Sequence, residues 1–164
     1  MTMRTLTLRK RLSGRPRGAH GFTIVETLVA VAVLVILVGL AAPGFREIIL
    51  SQTVKTASFD LFSSLVAARS EAITRNTTVT VTPSAGNWAN GWTITDSGGE
   101  VVGRQDPFAQ VLIAGPGSIA FNGAGRVTTG STSLSLMASG GRAPHNRCVE
   151  INLGGRPATK KGAC

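Results

Sequence analysis

The distribution of apolar and polar residues divides the chain into three parts. Residues 27–45 contain no charged side chain, and their apolar residues face every direction of a helix. Residues 46–76 then repeat apolar positions at steps of three and four, which predicts an amphipathic helix with one face on a core. From Thr77 onward, short alternating runs lie between glycine, proline and asparagine, as in antiparallel strands joined by turns. The sequence therefore predicts an α+β fold, with one long helix followed by a β domain.

The spacing also predicts which positions of these elements are buried. The core positions of the amphipathic helix are Val54, Ser58, Leu61, Leu65, Ala68 and Ala72, with Phe62 and Ile73 beside them. Asn76 is the predicted helix end. Eight candidate strands follow, at residues 77–82, 91–96, 99–104, 109–114, 117–122, 125–129, 132–138 and 147–153. Residues 139–146 are predicted to form an exposed loop.

The uncharged segment is about as long as a membrane-spanning helix, which needs about 20 apolar residues. The first 21 residues carry six basic side chains and no acid, so they are expected to stay in the cytoplasm and to direct the rest outward. They supply most of the net charge of +9, which argues against a histone-like or ribosomal protein. A buried core helix and a cleaved secretory signal peptide are the alternatives. The basic leader disfavours the first, and Pro43 after Ala41-Ala42 disfavours the second.

Neither alternative accounts for Glu26. A carboxylate near the start of a membrane helix costs about 3 kcal/mol unless it is paired or close to the headgroups. The residues Gly21-Phe22-Thr23-Ile24-Val25-Glu26, after a basic leader, resemble the leader junction of type IV pilins and pseudopilins. The resemblance implies that a prepilin peptidase cleaves after Gly21 and methylates the new amine of Phe22. It also implies that Glu26 pairs with the amino terminus of a neighbouring subunit, because an unpaired charge disfavours wrong register.

Further segments resemble the GspH/FimT branch of the pseudopilins, and FimT more closely. They are RSEAITRNTTVTV at 69–81, Trp88 with Gly91-Trp92, FNGAGRVT at 121–128 and a closing strand pair with Gly155-Arg156. The resemblance implies a long amino-terminal helix packed on two small β-sheets. Together with the apolar pattern it predicts a cleaved leader at 1–21, a membrane-spanning half of the helix at 22–45, and a periplasmic or extracellular globular domain at 46–164.

The reactive side chains predict no enzyme, no cofactor and no metal site. The acids form no paired acid–base signature, and His145 is the one histidine outside the leader, predicted to be a solvated loop residue. Trp88 and Trp92 lie four residues apart, so both are predicted on one face of a strand, packed in the core rather than stacked on a ligand. Cys148 and Cys164 are predicted to form a disulfide, because this part of the chain is expected in an oxidising compartment.

The segment from residue 126 to residue 164 is basic, with six basic side chains and Glu150 as its one acid. FimT-like pilins resemble DNA-uptake factors that carry a Gly-Arg-x-Arg pattern, and Gly155-Arg156-Pro157-Ala158 keeps only the first arginine. The predicted DNA-binding residues are Arg142, Arg147, Arg156, Lys160 and Lys161. They would contact the phosphates of double-stranded DNA without sequence preference. A solvated basic face is the alternative.

These features together predict a minor pilin of the type IV pilus, a structural or assembly-priming subunit of the filament or its tip. Its predicted partners are the inner membrane, the prepilin peptidase, and other pilins or pseudopilins that contact its amino-terminal helix. The alternative is a GspH-like minor pseudopilin of a type II secretion system. The predicted disulfide and the basic segment favour the pilus. A membrane-anchored periplasmic enzyme lacks a site that would carry it.

Overall fold

The computed structural model describes residues 21–140 and 145–164, and within them one long helix precedes eight β-strands. Helix α1 runs Ile24–Arg75. The strands are β1 (Val79–Pro83), β2 (Trp92–Asp96), β3 (Val101–Gln105), β4 (Val111–Ala114), β5 (Ile119–Phe121), β6 (Thr132–Ala138), β7 (Arg147–Ile151) and β8 (Pro157–Lys161). The chain separates into two compact units, one ending at Leu40 and the other running from Ala41 to Cys164.

Helix α1 ends where an asparagine takes the left-handed backbone conformation. Asn76 has a φ of 49°, which asparagine tolerates better than most residues. Its amide donates to the carbonyl of Ile73 at 3.2 Å, and the amide of Thr77 donates to the carbonyl of Ala72 at 3.1 Å. These two hydrogen bonds form a Schellman motif, which satisfies carbonyls that the last helical turn would otherwise leave free. The helix therefore ends within one residue of the predicted position.

The described strands form two antiparallel sheets of four strands each. The strand order is β3-β2-β1-β5 in the first sheet and β4-β6-β7-β8 in the second. The long β1–β2 register runs from Val79 opposite Asp96 to Pro83 opposite Trp92. In both sheets most neighbours in space are close in sequence, as short turns between antiparallel strands require. The predicted fold class, a long amino-terminal helix with two small antiparallel sheets, is confirmed.

Both sheets share one core with the second part of helix α1. The helix buries residues at steps of three and four, namely Leu50, Val54, Ala57, Leu61, Leu65, Ala68 and Ala72. The largest side chains that the sheets bury are Trp92, Phe121, Ile119, Leu134, Leu136 and Ile151. The predicted core position Ser58 is also buried, and its hydroxyl donates to the carbonyl of Lys55 at 2.7 Å, which satisfies the polar group within the helix.

Two details of the predicted packing are wrong. Ile73 was expected beside the core but is 48% exposed, because it lies on the flank of the helix next to the backbone of Gly125. Residues 125–129 do not form a strand. They make a single bridge, between Phe121 and Val127, because a turn at residues 122–126 takes up the start of the segment. Conversely, β8 is absent from the eight predicted strands, since its sequence PATKK carries no apolar alternation.

The two tryptophans pack in the core, as predicted. Trp88 and Trp92 are both buried, and their ring centroids are 6.0 Å apart. Trp88 does not lie on a strand, however. It begins a short 3₁₀ helix, Trp88–Asn90, whose start is capped by Asn87 through a hydrogen bond from the amide of Ala89. The indole N–H of Trp88 donates to the carbonyl of Pro116 at 2.7 Å.

Candidate functional sites

The predicted processing residues lie immediately before helix α1. Phe22 is 82% exposed, and a Cβ added to Gly21 would meet no atom within 4 Å. Residues 1–20 of the predicted leader lie outside the described residues. On its described side the Gly21–Phe22 bond is therefore open to approach, as cleavage by a peptidase requires.

Thr23 caps helix α1 and thereby places Glu26. The hydroxyl oxygen of Thr23 accepts a hydrogen bond from the amide of Glu26 at 3.2 Å, so Thr23 is the N-cap and Glu26 is the third helical residue, with the Thr-x-x-Glu spacing of a capping box. A carboxylate at this position also interacts favourably with the positive end of the helix dipole. Glu26 thus has a local role at the helix start, which the free-energy cost of a carboxylate in a membrane does not reveal. The Thr-x-x-Glu spacing that indicates this role is visible in the sequence.

The first part of α1 is apolar on all sides. The stretch Ile24–Ala41 is long and apolar enough to cross a membrane, and every side chain in it is exposed. Water would surround this surface in a soluble monomer, which would leave a much larger apolar patch than such proteins tolerate. A bilayer, or the apolar helices of other subunits, would remove that cost.

A disulfide closes the hairpin of β7 and β8. Cys148 in β7 is bonded to Cys164, with 5.1 Å between the two Cα atoms, which matches the pairing predicted from the sequence. The sulfur bridge ties the residues after β8 back to β7. Within the hairpin, Arg147 lies opposite Lys161, and Ile151 lies opposite Pro157.

The predicted DNA-binding residues do not share one face of this hairpin. Directly opposed residues of antiparallel strands point to the same face, so Arg147 and Lys161 lie on the side of the core residue Val149. Lys160 lies on the other side, where its ammonium group pairs with the carboxylate of Glu150.

The remaining members of the set are separated along the hairpin. Arg156 lies in the turn between the strands, five residues from Lys161 or about 16 Å along a strand. Arg142 lies outside the described residues. The described members of the predicted DNA-binding set therefore lie in three separate places.

Three turns of the globular domain share one construction. In each turn an Asp or Asn side chain accepts the amide of the residue four positions later, and the residue three positions later is a glycine with positive φ. The turns lie at residues 96–100, 122–126 and 152–156. Their sequences are DSGGE, NGAGR and NLGGR, which all begin with Asp or Asn and have glycine at the fourth position. The first side chain organises the turn by accepting backbone amides, and glycine takes the left-handed conformation of the fourth position without strain.

The second and third of these turns pack directly on each other. A Cβ on Gly155 would lie 2.0 Å from the carbonyl oxygen of Gly125, so the two backbones are in contact. Arg69 of helix α1 donates through Nε to that same oxygen at 2.9 Å. Arg126 and Arg156, both exposed, are the next residue after each glycine. The backbones of these arginines are therefore neighbours. The sequence does not indicate this, because the two residues are 30 positions apart.

The first turn, at residues 96–100, is attached to the end of α1 by Arg75. Its guanidinium contacts the carboxylates of Glu100 at 2.7 Å and Asp96 at 3.0 Å, and also that of Glu71. Hydrogen bonds from Arg75 to Glu100 and Glu71 raise the pKa of the guanidinium. The backbone amide of Glu100, helped by the amide of Gly98 and by Arg75, lowers the pKa of Asp96.

His145 is not the solvated residue that the sequence predicted. Its side chain is only 20% exposed, and its Nε2 lies 2.8 Å from Oε2 of Glu47 on helix α1. Strand β7 begins two residues later and its buried residues share the core with helix α1, so His145 enters the strand close to the helix. In the part of the chain that the structure describes, no three His, Cys, Asp or Glu side chains are grouped where they could hold a metal ion.

A capped apolar helix that leads into a two-sheet domain defines a pilin-like protein. Residues 16–42 match the family model of the prokaryotic N-terminal methylation motif. Residues 57–155, more than half of the chain, match the model described as type II transport protein GspH. The chain therefore belongs to the GspH family. No curated protein sequence matches it significantly.

Solved structures show the same fold. Two crystal structures of the type IV minor pilin FimU from Pseudomonas aeruginosa PAO1 are similar to this chain. The structure in space group P21 is 19% identical, with a TM-score of 0.58, and the match covers 65% of this chain and 87% of that one. The structure in space group P65 is 18% identical, with a TM-score of 0.57 and coverages of 65% and 91%. By family and fold the chain is a minor pilin or pseudopilin, and its methylation motif and apolar helix fit an anchor in the inner membrane.

Proposed function

We propose that this protein is a minor pilin of a type IV pilus, a structural or assembly-priming subunit of the filament or its tip. The observation that carries the proposal is the junction at residues 21–26, where a methylation motif meets an uninterrupted apolar helix. A structural subunit of this kind needs a helix that is stable in the bilayer before assembly and among other helices afterwards. The exposed apolar surface of Ile24–Ala41 is suited to both environments.

The same junction supports a specific maturation and topology. A prepilin peptidase cleaves after Gly21 on the cytoplasmic side, and Phe22 becomes the methylated amino terminus. Residues 22–45 then remain in the inner membrane, and residues 46–164 fold in the periplasm. The basic leader favours this orientation, and the Cys148–Cys164 disulfide suits an oxidising compartment.

The alternative is a GspH-like minor pseudopilin of a type II secretion system. The description of the matching family favours that system. The likeness to FimU, together with the disulfide-closed basic hairpin, favours the pilus and the FimT branch.

Deletion of the gene in its host separates the two systems. The pilus hypothesis requires that surface filaments sheared from the cells decrease while secreted enzymes in the medium are unchanged, and that a tagged copy appears in the sheared fraction. The opposite pattern, with normal filaments and enzymes retained in the periplasm, would establish the secretion role. A copy that carries Gly21→Ala serves as a control, because an uncleaved subunit should restore neither function.

A second candidate activity is binding of double-stranded DNA, as in natural transformation. The observation that favours it is the contact between turns 122–126 and 152–156, which brings the backbones of Arg126 and Arg156 together. Both side chains are exposed, and neither forms an ion pair with any described residue. In the Gly-Arg-x-Arg pattern the second arginine would stand at position 158, where this chain has an alanine. Arg126 can take the place of that arginine, because its backbone lies next to that of Arg156. Two arginines on a rigid base suit phosphate oxygens.

DNA binding is tested by electrophoretic mobility over a range of salt concentrations. Each phosphate contact contributes a slope of about −0.9 to a plot of log affinity against log salt concentration. Replacing Arg126 and Arg156 with Gln should therefore make this slope less steep by about 1.8. Lys160→Gln is the matched control, since Lys160 is already paired with Glu150 and should change the slope little. If Lys160→Gln changed the salt slope as much as the double variant does, DNA binding would reflect attraction by net charge and not a site formed by Arg126 and Arg156.

A further inference from the structure

Arg69 of helix α1 lies where turns 122–126 and 152–156 meet. Its Nε donates to the carbonyl oxygen of Gly125 at 2.9 Å. The same Nε is 3.1 Å from the position that a Cβ on Gly125 would take, and 3.3 Å from the position of a Cβ on Gly155. One guanidinium group therefore contacts both turns and attaches them to the helix.

This contact uses only one nitrogen of the guanidinium group. Arg69 is half-buried, and among the described residues its two terminal amino groups have no hydrogen-bond partner. No carboxylate in the described part of the chain forms an ion pair with it either. A guanidinium that is held in place and still has free donors is suited to phosphate oxygens, which match its planar fork.

Arg126 and Arg156 are close enough to share an anion with Arg69. Each directly follows one of the two glycines, so bond lengths place both of their Cα atoms within about 9 Å of the Nε of Arg69. Six bonds separate the Cα of an arginine from its terminal nitrogens, which gives the side chain a reach of about 7 Å. All three guanidinium groups can therefore reach one phosphate.

The two turns bring no negative charge to this place. Their sequences, NGAGR and NLGGR, begin with asparagine and contain no acid. Turn 96–100 has the same construction but begins with Asp96 and ends with Glu100, and both carboxylates pair with Arg75. The helix thus presents two arginines to turns of one type. Arg75 is neutralised by its turn, whereas Arg69 is not.

We propose that Arg69 is the third arginine of the phosphate-binding site and the residue that positions the other two. Its Nε keeps the turns together through the carbonyl of Gly125, and its terminal amino groups bind the same phosphate as Arg126 and Arg156. An arginine that is already fixed loses less side-chain entropy on binding than a free one. The inference rests on the DNA-binding candidate described above, in which the DNA backbone supplies the phosphate.

The test uses Arg69→Gln in the full chain in detergent micelles, with a short DNA duplex of mixed sequence, and measures electrophoretic mobility over a range of salt concentrations. Loss of one phosphate contact should make the slope of log affinity against log salt concentration less steep by about 0.9. A purely structural role would give another result. The unfolding temperature would fall, but the salt slope would equal that of the parent chain, because Arg126 and Arg156 would keep their own phosphate contacts.

Arg69→Lys separates the planar fork from the charge, and it also carries the test if Arg69→Gln does not fold. Lysine keeps the positive charge, so the salt slope should match that of the parent chain. It lacks the fork of arginine, so the affinity for DNA should fall by about fivefold, as expected for one lost hydrogen bond. Full affinity in Arg69→Lys would overturn the assignment, since a point charge would then be sufficient.

The matched control is Arg104→Gln, which removes the same charge from an exposed position. Arg104 lies on β3, at the opposite edge of the first sheet from β5, the strand that leads into turn 122–126. This variant should leave the salt slope close to that of the parent chain. If Arg104→Gln and Arg69→Gln changed the slope equally, net charge would explain both effects and the proposal would be wrong.

Failure of the DNA-binding candidate itself would look different. A parent chain that shows no mobility shift at low salt would overturn both the candidate and the role of Arg69. If the slope became less steep by about 1.8 in the double variant of Arg126 and Arg156 but stayed unchanged in Arg69→Gln, only the role of Arg69 would be overturned. The minor-pilin proposal does not depend on either result.

Discussion

Gly155 occupies a position that has no room for a side chain. Its φ is 73°, and a Cβ would lie 2.0 Å from the carbonyl oxygen of Gly125. Gly155→Ala should therefore lower the free energy of unfolding by about 2–5 kcal/mol, from left-handed strain together with overpacking. Thermal unfolding of the chain in micelles, followed by tryptophan fluorescence, measures this loss, because both tryptophans are buried in the globular domain.

Gly86→Ala is the matched control. Gly86 has a φ of 72°, but a Cβ there would meet no atom within 4 Å. Its replacement should cost only the strain, about 1–2 kcal/mol. The difference between the two variants isolates the contact between the turns. If both cost the same, turns 122–126 and 152–156 do not support each other.

At the scale of elements, the attachment of turn 96–100 to helix α1 should depend on pH. The pKa of Asp96 is lowered from its ordinary value of 3.8 in the folded state, so the unfolded chain binds this proton first as the pH falls. The stabilisation is fully present above pH 3.8 and is lost as the pH falls through the folded pKa. The pKa of Arg75 is raised, so its guanidinium keeps its charge throughout this range.

Asp96→Asn should therefore flatten the acid side of the stability curve. Asparagine preserves the turn, since Asn122 and Asn152 organise equivalent turns. Between pH 5 and pH 3, the unfolding temperature of the variant should fall less than that of the parent chain. Asp106→Asn, which alters an exposed carboxylate outside any ion pair with a described residue, should leave the acid side unchanged. Identical curves for Asp96→Asn and the parent chain would contradict the assignment.

The elements that could be predicted from sequence are those whose signal is local. The steps of three and four from Val54 to Ala72 identify the buried helix face, because 3.6 residues per turn bring those positions together. Strand β8 is absent from the strands predicted by alternation, because its sequence PATKK has no alternating apolar positions, and only the family resemblance implied a closing strand pair there. Its place depends on β7 and the disulfide rather than on its own residues.

At the scale of the whole molecule, the site residues that the sequence concealed are those brought together by distant segments. Glu47 and His145 are 98 residues apart, and no local pattern marks either as a partner of the other. The contact of Gly125 with Gly155 likewise exists only after both sheets have packed on helix α1. By contrast, the junction at residues 21–26 is a continuous segment, so its whole pattern is visible in the sequence.

That junction gives two explanations for Glu26, and they can be separated. As the third helical residue it donates its backbone amide to the hydroxyl of Thr23, and glutamine keeps both that hydrogen bond and the spacing of a capping box. As the partner of a neighbouring amino terminus it needs its negative charge. Glu26→Gln should therefore leave membrane insertion, cleavage after Gly21 and helix content unchanged, while incorporation into sheared filaments falls at least tenfold.

Three further variants complete the comparison. Thr23→Ala removes the cap and keeps the charge, so the helix start should lose about 1 kcal/mol of stability while incorporation continues. Glu47→Gln alters a carboxylate beyond the apolar segment and should leave incorporation unchanged. Gly21→Ala should leave the leader attached, which intact-mass spectrometry detects, whereas Glu26→Gln should give a mature chain that begins at methylated Phe22. If Glu26→Gln assembles like the parent chain while Thr23→Ala does not, capping rather than charge explains the carboxylate, and the register argument for Glu26 is wrong.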